Sequence, residues 1–101
     1  QAHAQIVINL IDFDLNLQEA GDVSRIVHTG SSEPTDEVMF DGGSVNLESG
    51  FPLHIHKDLK NYGHEIGNEK GLFGGYQAIM LKNGVYYGAS ESRKDGHAAG
   101  Y

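Results

Sequence analysis

Cysteine is absent from this 101-residue chain, and basic residues are few: seven Lys and Arg stand against fourteen Asp and Glu. The lack of cysteine excludes disulfides, thiolate catalysis and cysteine-bound zinc, and leaves the redox compartment undetermined. The net charge of −7 argues against nucleic acid as a partner, because phosphate binding requires a basic surface. No apolar run approaches the roughly 18 residues of a membrane span, so no membrane partner is predicted.

The negative charge is uneven along the chain. Nine acids lie between Asp12 and Glu48, where Arg25 is the only base, whereas six bases nearly balance five acids from Ser49 onward. This acidic stretch predicts a solvated surface, and a cation-binding function is the alternative interpretation. The length suits one small domain, and no linker or repeat interrupts it, so a single domain over residues 1–101 is predicted.

Polar residues recur at helical spacing near the start of the chain: Gln5, Asn9, Asp12 and Asn16. Because the residues between them are apolar, the pattern predicts a helix over Ala4–Phe13 that is buried around most of its circumference. A small domain does not readily cover such a helix, which indicates that it belongs to a larger body. A second helix is predicted over Leu17–Asp22, capped by Asn16 or Asp14.

The central region predicts a strand, a loop, a strand, a helix and a short strand, in that order: Ser24–His28, Thr29–Gly43, Ser44–Glu48, Leu53–Tyr62 and His64–Ile66. In the second of these strands we expect Val45 and Leu47 to face inward. Pro52 is suited to the start of the helix, and Gly63 is suited to the position just after its end. One face of the helix is expected to carry Ile55, Leu59 and Tyr62.

Asn83-Gly84 predicts a two-residue hairpin turn, because a type I′ turn needs positive φ at both central residues. The resulting register places Lys82 opposite Val85, and the alternating pairs extend to Gln77 opposite Ser90. From Ala78 to Leu81 both faces of the first strand are largely apolar. This pattern is typical of a strand inside a layered sheet.

No residue pattern selects a catalytic, substrate-binding or metal site, and no cofactor is predicted. His54 and His56 fall on the predicted helix, where positions i and i+2 point about 200° apart and do not share an ion. Gly42-Gly43 and Gly74-Gly75 lack the Lys, the Ser/Thr and the spacing of phosphate loops, and are interpreted as a loop end and a strand entry. The isolated histidines are interpreted as structural or surface residues: His28, His64 and His97.

Arg93 is the most informative polar residue. It follows the second hairpin strand, and its guanidinium offers five donors in a rigid fork that suits a carboxylate or backbone carbonyls. We favour the interpretation that Arg93 fixes the carboxyl-terminal tail through backbone contacts.

Four segments in order resemble the γ-glutamyltransferase (γ-glutamyltranspeptidase) family. The family typically closes with a Tyr-Gly-Ala-Ser step, an Arg and a final Gly-Tyr, which are similar to Tyr87-Gly88-Ala89-Ser90, Arg93 and Gly100-Tyr101. An Asn-x-Ile-Asp-Phe step matches Asn9-Leu10-Ile11-Asp12-Phe13, and Phe51–Gly63 fits the family's next helix. The family's Ala-Pro-Arg-Phe-His-His segment matches in part: Ser24-Arg25-Ile26-Val27-His28.

The resemblance implies an α+β fragment of the four-layer αββα N-terminal-nucleophile hydrolase fold, mostly antiparallel strands with flanking helices. It further implies the carboxyl-terminal part of the small subunit of an enzyme that transfers or hydrolyses γ-glutamyl groups, as in glutathione. The expected partner is the upstream part of the same enzyme, in the periplasm or outside the cell if the parent follows the family. A homodimer of the isolated chain is also expected.

In that family a threonine at a new amino terminus attacks the amide, and a Gly-Gly pair stabilises the oxyanion. The resemblance implies that both lie upstream of Gln1, so neither glycine pair of this chain inherits the role and the chain alone is expected to be inactive. Two alternatives stay open: a related amide acylase, and a free-standing non-catalytic interaction domain.

Overall fold

The computed structural model describes residues 1–32 and 38–99. Seven elements follow along the chain: α1 (Ala2–Ile11), α2 (Leu17–Asp22), β1 (Ile26–Thr29), β2 (Ser44–Leu47), α3 (Leu53–Asn61), β3 (Gln77–Lys82) and β4 (Val85–Ser90). They form two compact units, the first from Gln1 and Ser24–Phe73 and the second from Ala2–Val23 and Gly74–Tyr101. Within the described ranges, no helix has the length and apolar character to span a membrane.

The helices of the second unit agree with the sequence pattern apart from their ends. α1 begins and ends two residues earlier than predicted. Its end is set where Asp14 takes a left-handed φ of 52° and the Leu15 N–H donates back to the Asn9 carbonyl at 3.0 Å. α2 spans the predicted residues, and Asn16 is its cap: the Asn16 side chain accepts from the Glu19 N–H at 2.9 Å, and the Glu19 carboxylate accepts from the Asn16 N–H at 3.1 Å.

The β3–β4 hairpin has the predicted register. Lys82 lies opposite Val85, and the pairs continue to Gln77 opposite Ser90. Asn83 and Gly84 take φ values of 52° and 76°, which confirms the predicted turn with positive φ at both central residues.

One face of this hairpin packs against the helices. The buried cluster of the second unit consists of Ile6, Tyr76 and Ala89, and half-buried apolar residues pack against it: Leu10, Leu17 and Ala78. The opposite hairpin face is exposed, and so are apolar side chains of α1, including Val7, Ile8 and Ile11. The sequence pattern predicts that the first hairpin strand is covered on both faces and that α1 is buried around most of its circumference. Within this chain, that cover is incomplete.

The first unit is built on the antiparallel pair β1–β2, with Thr29 opposite Ser44 and Ile26 opposite Leu47. The predicted short strand is a single parallel bridge between Ile66 and Val45. Gly63 follows the end of α3 as predicted, with a φ of 92°, whereas Pro52 precedes the first helical residue as the N-cap. Ile55 and Leu59 are half-buried, but Tyr62, predicted on the same face, is exposed.

The predicted orientation of β2 is wrong. Asn46 is 1% exposed, whereas Val45 and Leu47 are only half-buried. The Asn46 amide donates to Thr29 Oγ1 at 3.2 Å and its Oδ1 accepts from the Glu69 N–H at 3.0 Å. These hydrogen bonds satisfy the buried amide. The Asn46 face of β2, which the alternating pattern predicts to be exposed to solvent, is therefore covered by the segment that contains Glu69.

Candidate functional site

His54 and His56 lie two residues apart on α3, as predicted. Over residues 1–32 and 38–99 no group of three or more His, Asp or Glu side chains is arranged to hold a metal ion. The acids of the 12–48 stretch that the structure describes are exposed, apart from half-buried Glu48, which agrees with a solvated surface.

Gly42-Gly43 ends a loop, as predicted, and His28 closes it. His28 Nε2 lies 2.7 Å from the Gly42 carbonyl, and because a carbonyl only accepts, Nε2 carries the proton; Nδ1 faces the Ser31 hydroxyl. Gly43 has a φ of 63°, and a Cβ there would lie 2.1 Å from the Thr29 carbonyl oxygen. The predicted loop over residues 29–43 extends across residues 33–37, which lie outside the described residues.

Arg93 makes the contacts that the sequence favoured. Its Nη1 donates to the Gly21 carbonyl at 2.8 Å, and its Nη2 donates to the carbonyls of Asp22 and Val23 at 3.3 and 3.0 Å. These are the last carbonyls of α2 and of the residue after it. A cation at this position satisfies acceptors that the helix leaves open and complements the helix dipole.

Glu91 holds the arginine in place. Its Oε2 accepts from Arg93 Nη1 at 3.1 Å, with the Glu91 side chain 0% exposed and the Arg93 side chain 17% exposed. The Glu91 N–H donates to the Tyr76 carbonyl, which joins the tail to the strand entry beside Gly75. Glu91 was not singled out from the sequence, although an acid two residues before the arginine is a recognisable signal.

The other end of α2 is also fixed by side chains. The Tyr76 hydroxyl donates to the Leu17 carbonyl at 2.8 Å, and the Gln18 amide donates to the Ser90 carbonyl at 2.9 Å. Gly21 lies against the Tyr76 ring so closely that a Cβ would be 2.2 Å from Cδ1. We call this arrangement the α2 clamp, made of Tyr76, Glu91 and Arg93 around the helix.

The α2 clamp is a structural device. Both terminal nitrogens of Arg93 already donate to protein oxygens, so a substrate carboxylate would have to displace them. Arg25 has a comparable role in the first unit, where it is 1% exposed and its Nη1 donates to the Phe73 carbonyl at 3.0 Å. Both arginines of the chain therefore stabilise backbone.

The sequence comparisons identify the family. The family model described as gamma-glutamyltranspeptidase matches residues 1–101. This chain belongs to that family. Acylase ACY 1 proenzyme from Pseudomonas sp. (strain V22) is 31% identical over 93 residues, which cover 91% of this chain and 14% of that protein. Glutathione hydrolase proenzyme 2 from Schizosaccharomyces pombe is 30% identical over 98 residues, or 94% of this chain and 14% of that protein.

The fold is shared with solved family members. The structure of γ-glutamyltranspeptidase from Pseudomonas nitroreducens complexed with L-DON superimposes with a TM-score of 0.77 at 24% identity, over 99% of this chain and 48% of that chain. The expected fold class is confirmed: the chain is a fragment of the N-terminal-nucleophile hydrolase fold, with mixed helices and antiparallel strands. It spans about one seventh of the length of the curated relatives that it matches.

Proposed function

We propose that this chain is the carboxyl-terminal scaffold portion of a small subunit in an enzyme that transfers or hydrolyses γ-glutamyl groups of glutathione and related amides. The family match over residues 1–101, at 14% of the relatives' length, carries the proposal. Its partner is the preceding part of the same enzyme, with neither nucleic acid nor a membrane as partner. Residues 1–101 act as one domain within that subunit.

A scaffold role is supported by the chemistry of the described side chains. The best-organised polar group of the second unit, the α2 clamp, uses its donors on backbone carbonyls and on Glu91. We propose no catalytic or substrate-binding residue in this chain. The reaction then depends on groups contributed by the rest of the enzyme.

The isolated chain is expected to lack γ-glutamyl transferase and hydrolase activity. Removing the nucleophile from such an enzyme usually lowers the rate by several orders of magnitude. A γ-glutamyl-p-nitroanilide assay of the chain, compared with the protein from the complete natural reading frame, tests this. The scaffold proposal would be contradicted if the isolated chain turned the substrate over and a point change such as Ser31→Ala or Ser90→Ala abolished that turnover.

The same experiment distinguishes two alternative functions. The first is a related enzyme that hydrolyses other amides, an alternative suggested by the similarity to a Pseudomonas acylase. A complete protein that cleaves only such amides would identify it. A free-standing interaction domain is the second. A natural reading frame with no enzyme sequence upstream of Gln1 would establish that one instead.

A further inference from the structure

The tip of the β3–β4 hairpin is a polar turn that is open to solvent. Lys82, Asn83 and Gly84 are all exposed, and a Cβ added at Gly84 would meet no atom beyond its chain neighbours within 4 Å. In a two-residue turn the flanking pair, here Lys82 and Val85, makes the last hydrogen bonds of the ladder. The main-chain nitrogen of Gly84 therefore takes no part in the ladder and is sterically accessible.

The sequence of this turn, Asn-Gly, is also the dipeptide in which asparagine deamidates most readily. The main-chain nitrogen that follows an asparagine can attack the side-chain Cγ, and glycine leaves this approach unhindered because it has no Cβ. Of the six asparagines in the chain, only Asn83 precedes a glycine. The other five precede residues with large side chains: Leu10, Leu17, Leu47, Tyr62 and Glu69.

We propose that Asn83 is a site of spontaneous deamidation in the folded protein. The Gly84 nitrogen forms a bond to Asn83 Cγ, its proton leaves with the side-chain amide as ammonia, and a cyclic succinimide remains. Water then opens the ring at one of its two carbonyl carbons, and the product is an aspartate or an isoaspartate at position 83. The reaction consumes only solvent water, and the inference is independent of the proposed function.

Two Asp-Gly steps, Asp41-Gly42 and Asp95-Gly96, form the same succinimide by losing water, but neighbouring groups restrain both. In the first step the carboxylate Oδ1 accepts from the Gly43 N–H at 3.0 Å, which directs this oxygen past the intervening main-chain nitrogen. In the second step the glycine lies against Gln77, and a Cβ there would be 2.0 Å from the Gln77 Nε2. A carboxylate is also a poorer electrophile than the neutral amide of Asn83, so the structure favours reaction at the hairpin turn.

The two products affect the hairpin differently. Aspartate tolerates the left-handed φ of 52° that Asn83 adopts, so this product keeps the turn and adds one negative charge beside Lys82. Isoaspartate inserts a methylene group into the main chain, so the turn no longer consists of two residues of ordinary length. It therefore strains the register that brings Ala78 opposite Ala89 at the buried cluster.

Mass spectrometry of the complete natural protein, aged in its folded state at mildly alkaline pH and digested under acidic conditions, tests the proposal. The peptide that contains Asn83 should gain the mass of deamidation several-fold faster than the peptide of any other asparagine in the chain. Protein isoaspartate methyltransferase should label the same peptide. Asn83→Gly is the matched variant, because glycine accepts the same φ, and its turn peptide should show neither the mass gain nor the label.

A second arm compares the folded protein with the same protein unfolded in urea. Similar rates at Asn83 would support the proposal, because the folded turn then leaves the Gly84 nitrogen free to react. Deamidation of this peptide in urea alone would overturn it, and so would faster modification of Asp41-Gly42 or Asp95-Gly96 in the folded protein. The isoaspartate fraction, separated by ion exchange, should melt below Asn83→Asp, which carries the charge without the methylene group. Equal melting temperatures would overturn the effect assigned to isoaspartate.

Discussion

Arg93 and Glu91 form an ion pair, with Nη1 and Oε2 3.1 Å apart, in which the carboxylate is completely buried. The same guanidinium donates to the carbonyls of Gly21, Asp22 and Val23. The acid therefore orients the base, and the base closes the end of α2. Through this pair the tail that follows β4 becomes part of the second unit.

Replacing the arginine should destabilise that unit strongly. Arg93→Ala removes the ion pair of a buried carboxylate and the donors to three carbonyls, and we expect a loss of about 3 kcal/mol in the free energy of unfolding. Urea unfolding followed by circular dichroism measures it. Lys94→Ala, at an exposed neighbour, is the control and should change little.

The partner change tests whether the two residues act together. With Glu91→Gln added to Arg93→Ala, the buried negative charge is gone, so the double variant should be less destabilised than the sum of the single variants. Strict additivity in the double-mutant cycle would show that the pair carries no coupling.

Gly21 gives a prediction with a reversed sign. In a helix, Gly→Ala ordinarily stabilises by about 1 kcal/mol. Here the new Cβ would lie 2.2 Å from the Tyr76 ring, so Gly21→Ala should instead destabilise by roughly 1–3 kcal/mol. Thermal melts compare it with Gly21→Ala/Tyr76→Leu, where the smaller side chain should recover part of the loss. A more stable Gly21→Ala variant would contradict the observed packing.

Local chemistry explains which elements could be predicted from the sequence. The hairpin register depends on Asn83-Gly84, and the start of α2 depends on Asn16 with Glu19; both are short-range arrangements that few residues determine. The contacts of Arg93 could also be predicted in kind, since a forked donor after a strand needs carbonyls or a carboxylate.

The parts that sequence reasoning missed depend on residues distant along the chain. Asn46 is buried because Thr29 and Glu69 supply its partners, and neither position is visible in the alternation of β2. Glu91 is buried for the same kind of reason, beside Tyr76 and the end of α2. The hydrophobic pattern of a segment predicts which of its faces are apolar. It cannot predict that a polar side chain is buried, because the hydrogen-bond partners of that side chain lie in a segment distant along the chain.

The buried amide of β2 can be tested directly. Asn46→Leu keeps the number and branching of the side-chain heavy atoms but leaves the Glu69 N–H without its acceptor, and we expect a loss of about 1–3 kcal/mol in the free energy of unfolding. Val45→Ala, at the half-buried neighbour, should cost less. If Val45→Ala destabilises the chain more than Asn46→Leu in chemical unfolding, the result would contradict the buried position of Asn46 and support the predicted inward orientation of Val45 and Leu47.

The hairpin turn should tolerate no β-branched residue at Gly84. Gly84 has a φ of 76°, so Gly84→Val should cost more than about 1 kcal/mol through backbone strain, although a Cβ there would meet open space. Asn83→Gly is the matched control and should change stability little, because glycine accepts the left-handed φ of Asn83. A Gly84→Val chain that melts at the wild-type temperature would refute the link between this turn and stability.

The isolated chain should self-associate, because two apolar surfaces of the second unit are exposed together. One is the face of the β3–β4 hairpin that carries Ile79, Leu81 and Tyr86, and the other consists of α1 side chains such as Val7 and Ile11. Exposed apolar surfaces of this kind mark sites of association. The net charge of −7 opposes open-ended aggregation, so a defined dimer is expected rather than a precipitate. Sedimentation equilibrium at micromolar concentration measures this, with Ile11→Lys and Leu81→Asp each expected to weaken the dimer. A strictly monomeric chain that binds no hydrophobic dye would show that these surfaces are closed in solution, and would favour a free-standing domain.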